Sequence, residues 1–287
     1  MGSLATHFCA FLFLFPTGIR RLLSTFSLYL KSPLLFRSKP WHMSQPLWKT
    51  FDLYVLLIAL PIASFSEFYW FLTFSGQATY RFAFFHQSAA LFLFWVVVIS
   101  IVLAVHFDFF AVHENLLFLF AGIAFLVEYS MIGAGYTGMA GRAYELLGAL
   151  TLVSAASCIV LSIKRTAFFA DAVLSLSLIF KGIWVLQTGL YLFSDVFAPK
   201  GCQKMPLLPD NGKGDVTCIL EDDRQRGLAL IDLLFIVHAI IIFILNLVSF
   251  ALLSYKRNPR GSGAGSPSGE AELENMLMRS LPDFEME

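Results

Sequence analysis

The chain has 287 residues, 57% of them hydrophobic and 14% charged, and its 20 basic and 20 acidic residues cancel. Water-soluble domains run at roughly 45–50% apolar and about 25% charged, so a single water-soluble core cannot bury the 31 phenylalanines of this sequence, and a lipid bilayer is its natural solvent. The balanced charge excludes the strong basic field that marks nucleic-acid binding.

Seven stretches approach or exceed the ~20 residues a helix needs to cross a bilayer. The predicted spans are Leu4–Leu30, Phe51–Phe74, Phe82–His106, Asn115–Gly135, Arg142–Ile163, Phe168–Phe193 and Leu228–Tyr255. The fold class read from them is all-α, a seven-transmembrane-helix bundle over residues 1–257 with a tail at 258–287. Pro16, Arg20 and Arg21 interrupt the first span, and Pro61 should kink the second. No basic region precedes the first apolar run and the arginines follow it, which argues against a cleaved signal peptide. "MGSLAT" fits the myristoylation pattern, but one lipid adds little to seven spans.

Lys and Arg in short connections set orientation. Connections one, three and five and the tail carry Arg20, Arg21, Lys31, Arg37, Lys39, Lys49, Lys164, Arg165, Lys256, Arg257 and Arg260, against Arg81 and Arg142 in connections two and four. The expected N-terminus is outside or lumenal, and the C-terminus cytosolic. The long connection at 194–227 then faces outside. It holds Cys202 and Cys218, and two cysteines in one exoplasmic loop favour a disulfide over free thiols. No Asn-x-Ser/Thr acceptor is present, so N-glycosylation is not expected. The tail opens with "GSGAGSPSG", a flexible linker, and ends acidic. Such an end is either disordered or a short contact for a cytosolic partner.

Ionisable groups within spans cost about 2.5–3.5 kcal/mol on insertion scales and usually face the bundle interior. Here they are Glu67, His86, Glu128, Glu145, Asp171, Lys181, Asp232 and His238, with Gln187 and Asn246 as neutral polar groups. On the predicted topology Glu67, His86, Glu128, Gln187 and His238 fall roughly 6–15 Å below the outer surface. Glu145 and Asp232 would form a rim above them. In span six Ser177, Lys181, Trp184, Thr188 and Tyr191 share an ~80° arc, and in span seven Asp232, His238, Asn246 and Ser249 share ~120°. Gly182 and Gly189 lie on another face, suited to close helix packing. Lys181 therefore belongs to a stripe and should face an acid, with Glu128 the expected partner.

This polar set has three open readings. It is interhelical glue, or a site for a proton, cation or small polar solute in a transporter-like or sensor-like protein, or a metal or cofactor centre. No HExxH and no cysteine cluster supports the last, and a Schiff base on Lys181 has no indicated ligand. No P-loop or GxSxG is present. "GAGYTG" at 133–138 follows a helix end and reads as the turn between spans four and five. The Asp-Arg-Tyr and Asn-Pro-x-x-Tyr elements of the common G-protein-coupled class are absent.

Four segments resemble the transmembrane protein 45 family, also called domain of unknown function 716. They are "HQSAALFLFWV" at 86–96, "LFLFAGIAFLVEYSMI" at 117–132, "SLIFKGIWVLQTGLYLF" at 177–193 and "LLFIVHAIIIFILNLV" at 233–248. The third resembles the family's Gly-x-Trp-x-x-Gln-x-Gly signature. The resemblance implies seven spans and carries over to His86, Glu128, Gly182, Trp184, Gln187, Gly189 and His238. It also implies a plant-type member, and some plant members are described as response-to-infection proteins. Where members often carry histidine after the glutamate this chain has Gly133, Ala134 and Gly135, and where animal members have glutamine it has Lys181. The expectation is an integral protein of the plasma membrane or an endomembrane. It leans away from an enzyme, and a scaffolding role through the tail is the alternative. Cofactor, substrate and oligomeric state are not indicated.

Overall fold

The computed structural model describes residues 4–41, 51–74, 78–106, 113–133, 136, 138–194, 201–204 and 216–257. The tail expected at 258–287, the turn-rich "PLLPDNGKGD" and part of the "GAGYTG" turn lie outside the described residues. Seven helices follow in order: α1 Leu4–Lys31, α2 Phe51–Thr73, α3 Ala78–His106, α4 Glu114–Met131, α5 Gly138–Ile163, α6 Phe168–Phe193 and α7 Glu221–Arg257. All seven are long and apolar enough to cross a membrane. The chain is therefore a seven-helix, all-α bundle of membrane-spanning length.

The helices depart from the sequence expectation at several places, α3 and α5 each beginning about one turn early. α1 runs unbroken through Pro16, Arg20 and Arg21, so the two arginines lie inside the helix and not in the first connection. Arg20 pairs with Asp52, and Arg21 with Asp171, which removes the cost that would otherwise break the span there. α4 stops about one turn early, where Gly133 takes a positive φ of 75° that suits a residue without Cβ. α7 starts about two turns early, with Glu221, Asp222 and Asp223 in its first turn, where carboxylates oppose the helix dipole favourably. Ahead of α7, strands β1 Cys202–Lys204 and β2 Val216–Cys218 form an antiparallel ribbon. Cys202 sits opposite Cys218, and a disulfide joins them.

α6 is the axis of the bundle, and its sequence explains why. One face carries small residues and the opposite arc carries the polar stripe. On the small face α1 packs antiparallel, with backbone nearly touching backbone. A Cβ placed on Gly18 would lie 2.8 Å from the Ile179 amide nitrogen, and one on Gly182 would lie 2.9 Å from the Phe15 amide nitrogen. At Gly189 it would meet the His7 side chain at 2.5 Å. The other arc, Ser177, Lys181, Trp184, Thr188 and Tyr191, is buried throughout. Ser177 hydrogen-bonds Ser154 at 2.8 Å, Trp184 Nε1 donates to Ala143 O at 2.9 Å and Tyr191 donates to Met139 Sδ at 2.9 Å, all on α5.

The remaining helices pair as antiparallel neighbours. α4 meets α5 where Gly122 rests on Ala155, Cys158 and Ile159. α2 and α3 are joined by reciprocal bonds, Ser64 Oγ to Ser88 O at 2.9 Å and Ser88 Oγ to Ser64 O at 2.8 Å. Trp95 Nε1 adds a bond to Leu57 O at 2.9 Å. Apolar clusters lie between α5, α6 and α7, and between α2, α3 and α4. α7 is peripheral. Leu233, Ile236, Ile240, Phe243 and Leu247 are exposed along it, and a helix apolar on nearly every side is solvated by lipid.

A helical Gly→Ala change adds about 1 kcal/mol of propensity where space allows. At Gly182 space does not allow it, so Gly182→Ala should lose about 1–3 kcal/mol through overpacking. Thermal unfolding in detergent measures this; a variant as stable as the wild type would contradict the close α1–α6 approach.

Candidate functional site

Lys181 and Glu128 form the central feature. Lys181 Nζ donates to Glu128 Oε2 at 2.5 Å, with side-chain exposures of 3% and 12%. The ammonium also sits 5.1 Å from the centre of the Phe125 ring, a distance at which the ring face attracts a cation. The partner is the acid expected from sequence depth. α4 delivers Glu128 and α6 delivers Lys181, so the pair ties together two helices that are not neighbours in sequence. Each charge is tolerable in the interior because the other is there.

The other polar groups expected at this level do not gather around this pair. His238 Nδ1 lies 2.7 Å from Leu234 O of its own helix, and its ring makes an edge contact with Trp184 at 6.1 Å between centres. Gln187 Nε2 and Thr188 Oγ1 are buried without hydrogen-bond partners among the described residues. Glu67 is buried on α2, and its Oε2 has no donor among the described residues. His86 is half-buried on α3. Asn246 Oδ1 on α7 is also buried without a partner. The sequence placed Glu67, His86, Glu128, Gln187 and His238 at one level; the hydrogen bonds among the described residues join none of these five to another.

The expected rim is an ion-pair cluster and not an open mouth. Arg142 Nε donates to Asp232 Oδ1 at 2.8 Å, and its Nη1 to Glu145 Oε2 at 2.9 Å. Arg142, counted with the fourth connection in sequence, lies on α5 and joins it to α7. The disulfide ribbon packs near the same end, with Val216, Cys202 and Cys218 against the α5–α6–α7 core.

Two buried groups escaped the sequence reading. His7 on α1 is fully buried, and its Nε2 is 3.3 Å from the Tyr144 hydroxyl. It lies so near the start of the first apolar run that depth alone gave it no weight. The second is Arg21. It pairs with the fully buried Asp171, which also accepts from Thr25 Oγ1 at 2.9 Å. Arg21 Nη1 donates to Pro40 O at 3.0 Å, and Nη2 to Ser38 Oγ at 3.3 Å. Arg165 Nη2 donates to Ser38 O at 2.9 Å and pairs with Glu114. Burial lowers the pKa of Arg165, and the positive charge of Arg37 lowers it further. A signal existed in the adjacent arginines inside an apolar run, since such a run continues as helix only if acids answer them.

Seven membrane-length helices around a buried Lys–Glu pair define a polytopic integral-membrane bundle. Residues 114–251, from the start of α4 into α7, match the model of a family of unknown function (DUF716). A comparison with curated proteins finds no match. The matched stretch contains Glu128, Lys181, Gly182, Trp184, Gln187, Gly189, Asp232 and His238; Glu67 and His86 lie outside it. The structure gives the signature residues physical roles. Gly182 and Gly189 admit α1, and Trp184 locks α6 to α5.

Two measurements check this geometry. Lys181→Met strands a buried carboxylate and should cost about 3–5 kcal/mol, while Lys181→Met with Glu128→Leu should recover most of that loss. Unfolding free energies of the four-member cycle read the coupling, and additive effects would refute the pair. Alkylation of denatured, unreduced protein should label Cys9 and Cys158 alone, the free cysteines. Label at Cys202 or Cys218 would refute the bridge.

Proposed function

We propose that the protein is transporter-like or sensor-like, with buried polar groups in the outer half of the bundle that receive a proton, cation or small polar solute. The observation that supports this most is the set of unmet hydrogen-bonding atoms beyond the Lys181–Glu128 pair. Gln187 Nε2, Thr188 Oγ1 and Glu67 Oε2 are all buried without partners. Leaving such a group unsatisfied costs about 1–3 kcal/mol, and ionisable groups inside spans commonly mark ion and solute pathways. In this reading Lys181 and Glu128 fix the electrostatic floor of the site, and His86 on α3 and His238 on α7 are further polar groups of it. The basic residues of the first and fifth connections support a cytosolic C-terminus, in a protein of the plasma membrane or an endomembrane. A place in a plant stress or infection response rests on the family resemblance alone.

A second reading is structural, and closed contacts favour it. Lys181–Glu128, Arg142–Asp232 and Ser64–Ser88 are satisfied interhelical pairs. On this reading the protein is a scaffold and its acidic tail meets a cytosolic partner. An intramembrane metal enzyme gains no support: among the described residues no group of three or more His, Cys, Asp or Glu could hold an ion.

Reconstitution in liposomes separates the two. Wild-type protein should carry protons, a cation or a small solute, or be thermally stabilised by one, and Glu67→Gln and His86→Ala should reduce that response. No flux and no stabilisation across ions and metabolites would end the transporter reading. Loss of cellular function on tail deletion, with silent span variants, would favour the scaffold.

A further inference from the structure

The β1–β2 ribbon closes on itself and then seats against the bundle. Cys202 and Cys218 face one another at its open end, and the disulfide joins them across a separation of 16 residues. Toward the other end of the ribbon Val216 is buried, and with both cysteines it packs into the cluster of Met139, Tyr144, Tyr191 and Ile231 from α5, α6 and α7. Gly201, at a φ of 80°, lies against Asp223 in the first turn of α7, and Gly227 of α7 lies against Met139 of α5. The ribbon therefore touches α5 and the start of α7 at once. Other ties at that end are few. Leu230, Leu233 and Ile236 are exposed on α7, and the polar tie to α5 is Arg142–Asp232. A two-stranded ribbon three residues long is marginal by itself, and a crosslink orders it by restricting the open chain. Both cysteines are partly exposed, and Ile219 and Leu220 beside them are 80% and 61% exposed, so a thiol can reach the bridge. The main helix contacts lie between other elements: α1 meets α6 at Gly18 and Gly182, α2 meets α3 at Ser64 and Ser88, and α4 meets α6 at Glu128 and Lys181.

We propose that the Cys202–Cys218 disulfide is a redox-operated clasp: a dithiol reductant opens it, and the ribbon and the first turns of α7 come away from α5 while α1–α6 keep their packing. One thiolate of the dithiol attacks a cysteine sulfur, the S–S bond breaks, and the released cysteine sulfur takes a proton. The second thiol of the reductant then displaces the mixed disulfide and frees the other cysteine. Two electrons and two protons pass to the chain, which gains two thiols, and the dithiol becomes a disulfide. Phe235 and His238 of α7 rest on Trp184 of α6, so release of α7 changes what covers the C-terminal half of α6. The clasp does not depend on any transport activity.

The test follows amide hydrogen exchange of the full chain in lipid nanodiscs, before and after treatment with dithiothreitol and again after reoxidation. Cys9 and Cys158 are free, so the reductant has the one bridge to act on among the described cysteines. Reduction should speed exchange over 216–218 and 224–232 by about ten-fold or more, a modest share of what freeing a loop of this length allows. Exchange within α1 to α6 should stay as it was, and reoxidation should restore the slow rates. Cys202→Ser combined with Cys218→Ser should show the fast rates without reductant and no response to it. Three results would overturn the proposal: a bridge that dithiothreitol leaves intact in the folded protein, a reduced protein with unchanged rates in α7, or a rise of equal size in all seven helices, which would make the bridge a staple of the whole fold. The wild-type measurement decides the matter even where the double variant does not fold.

Discussion

The close approach of α1 to α6 is the constraint on which the rest depends. Lipid tails are as apolar as leucine, so helices in a bilayer associate through close packing and not through exclusion of water. Gly18, Gly182 and Gly189 let the two backbones come within van der Waals reach along most of their length. That contact fixes the rotation of α6, and the rotation fixes everything on its other arc. With the glycines turned to α1, Lys181 faces α4 and Trp184 faces α5. A rotation of α6 by one residue, ~100°, would aim the ammonium at a hydrophobic neighbour and separate it from Glu128. The family signature therefore mixes two kinds of residue: glycines that set the angle, and polar residues whose partners the angle selects.

Charge neutralisation inside the bundle is the second organising rule, and it works in the same way at three depths. Arg21 with Asp171, Lys181 with Glu128, and Arg142 with Asp232 each link two helices of the bundle. Pairs of this kind gain little net energy over apolar packing, because desolvation offsets attraction. They do specify which helices are neighbours, since a slipped arrangement leaves two uncompensated charges in hydrocarbon. α7 makes few of these contacts, and its largely lipid-exposed surface follows from that.

Much of this was legible in the sequence because hydrophobic length is a local property. α6 has the limits its apolar run predicts, and the polar arc and glycine face of α6 follow from helical phase. Depth counting also paired Lys181 with Glu128. Depth does not give azimuth, however. Glu67, His86, Glu128, Gln187 and His238 share a level in sequence, yet His238 turns to the Leu234 carbonyl of its own helix and Trp184 while Glu128 turns to Lys181. Arg20 and Arg21 were read as breaking the first span because an acid on a distant helix cannot be seen in a local window. The early start of α7 was missed for a related reason: three acids look like loop until their position at a helix N-terminus is known.

α6 carries unequal chemistry at its two ends, and that asymmetry bears on what the bundle can do. At its N-terminal end Asp171 is saturated, accepting from Arg21 and Thr25 while the first connection folds over it through Ser38. Such a network is worth more as a rigid unit than as separate bonds, and it anchors α1 to α6 and to the connections that hold Ser38 and Arg165. Toward its C-terminal end Gln187 and Thr188 are buried with bonds unmade, and α4 stops at Met131. A helix end held firmly at one side and under-satisfied at the other concentrates any conformational freedom at the latter. Small movements of α6 against α4 would then alter the surroundings of the Lys181–Glu128 pair first. Because the glycine contacts with α1 are intolerant of added atoms, such movement would have to be shared by α1.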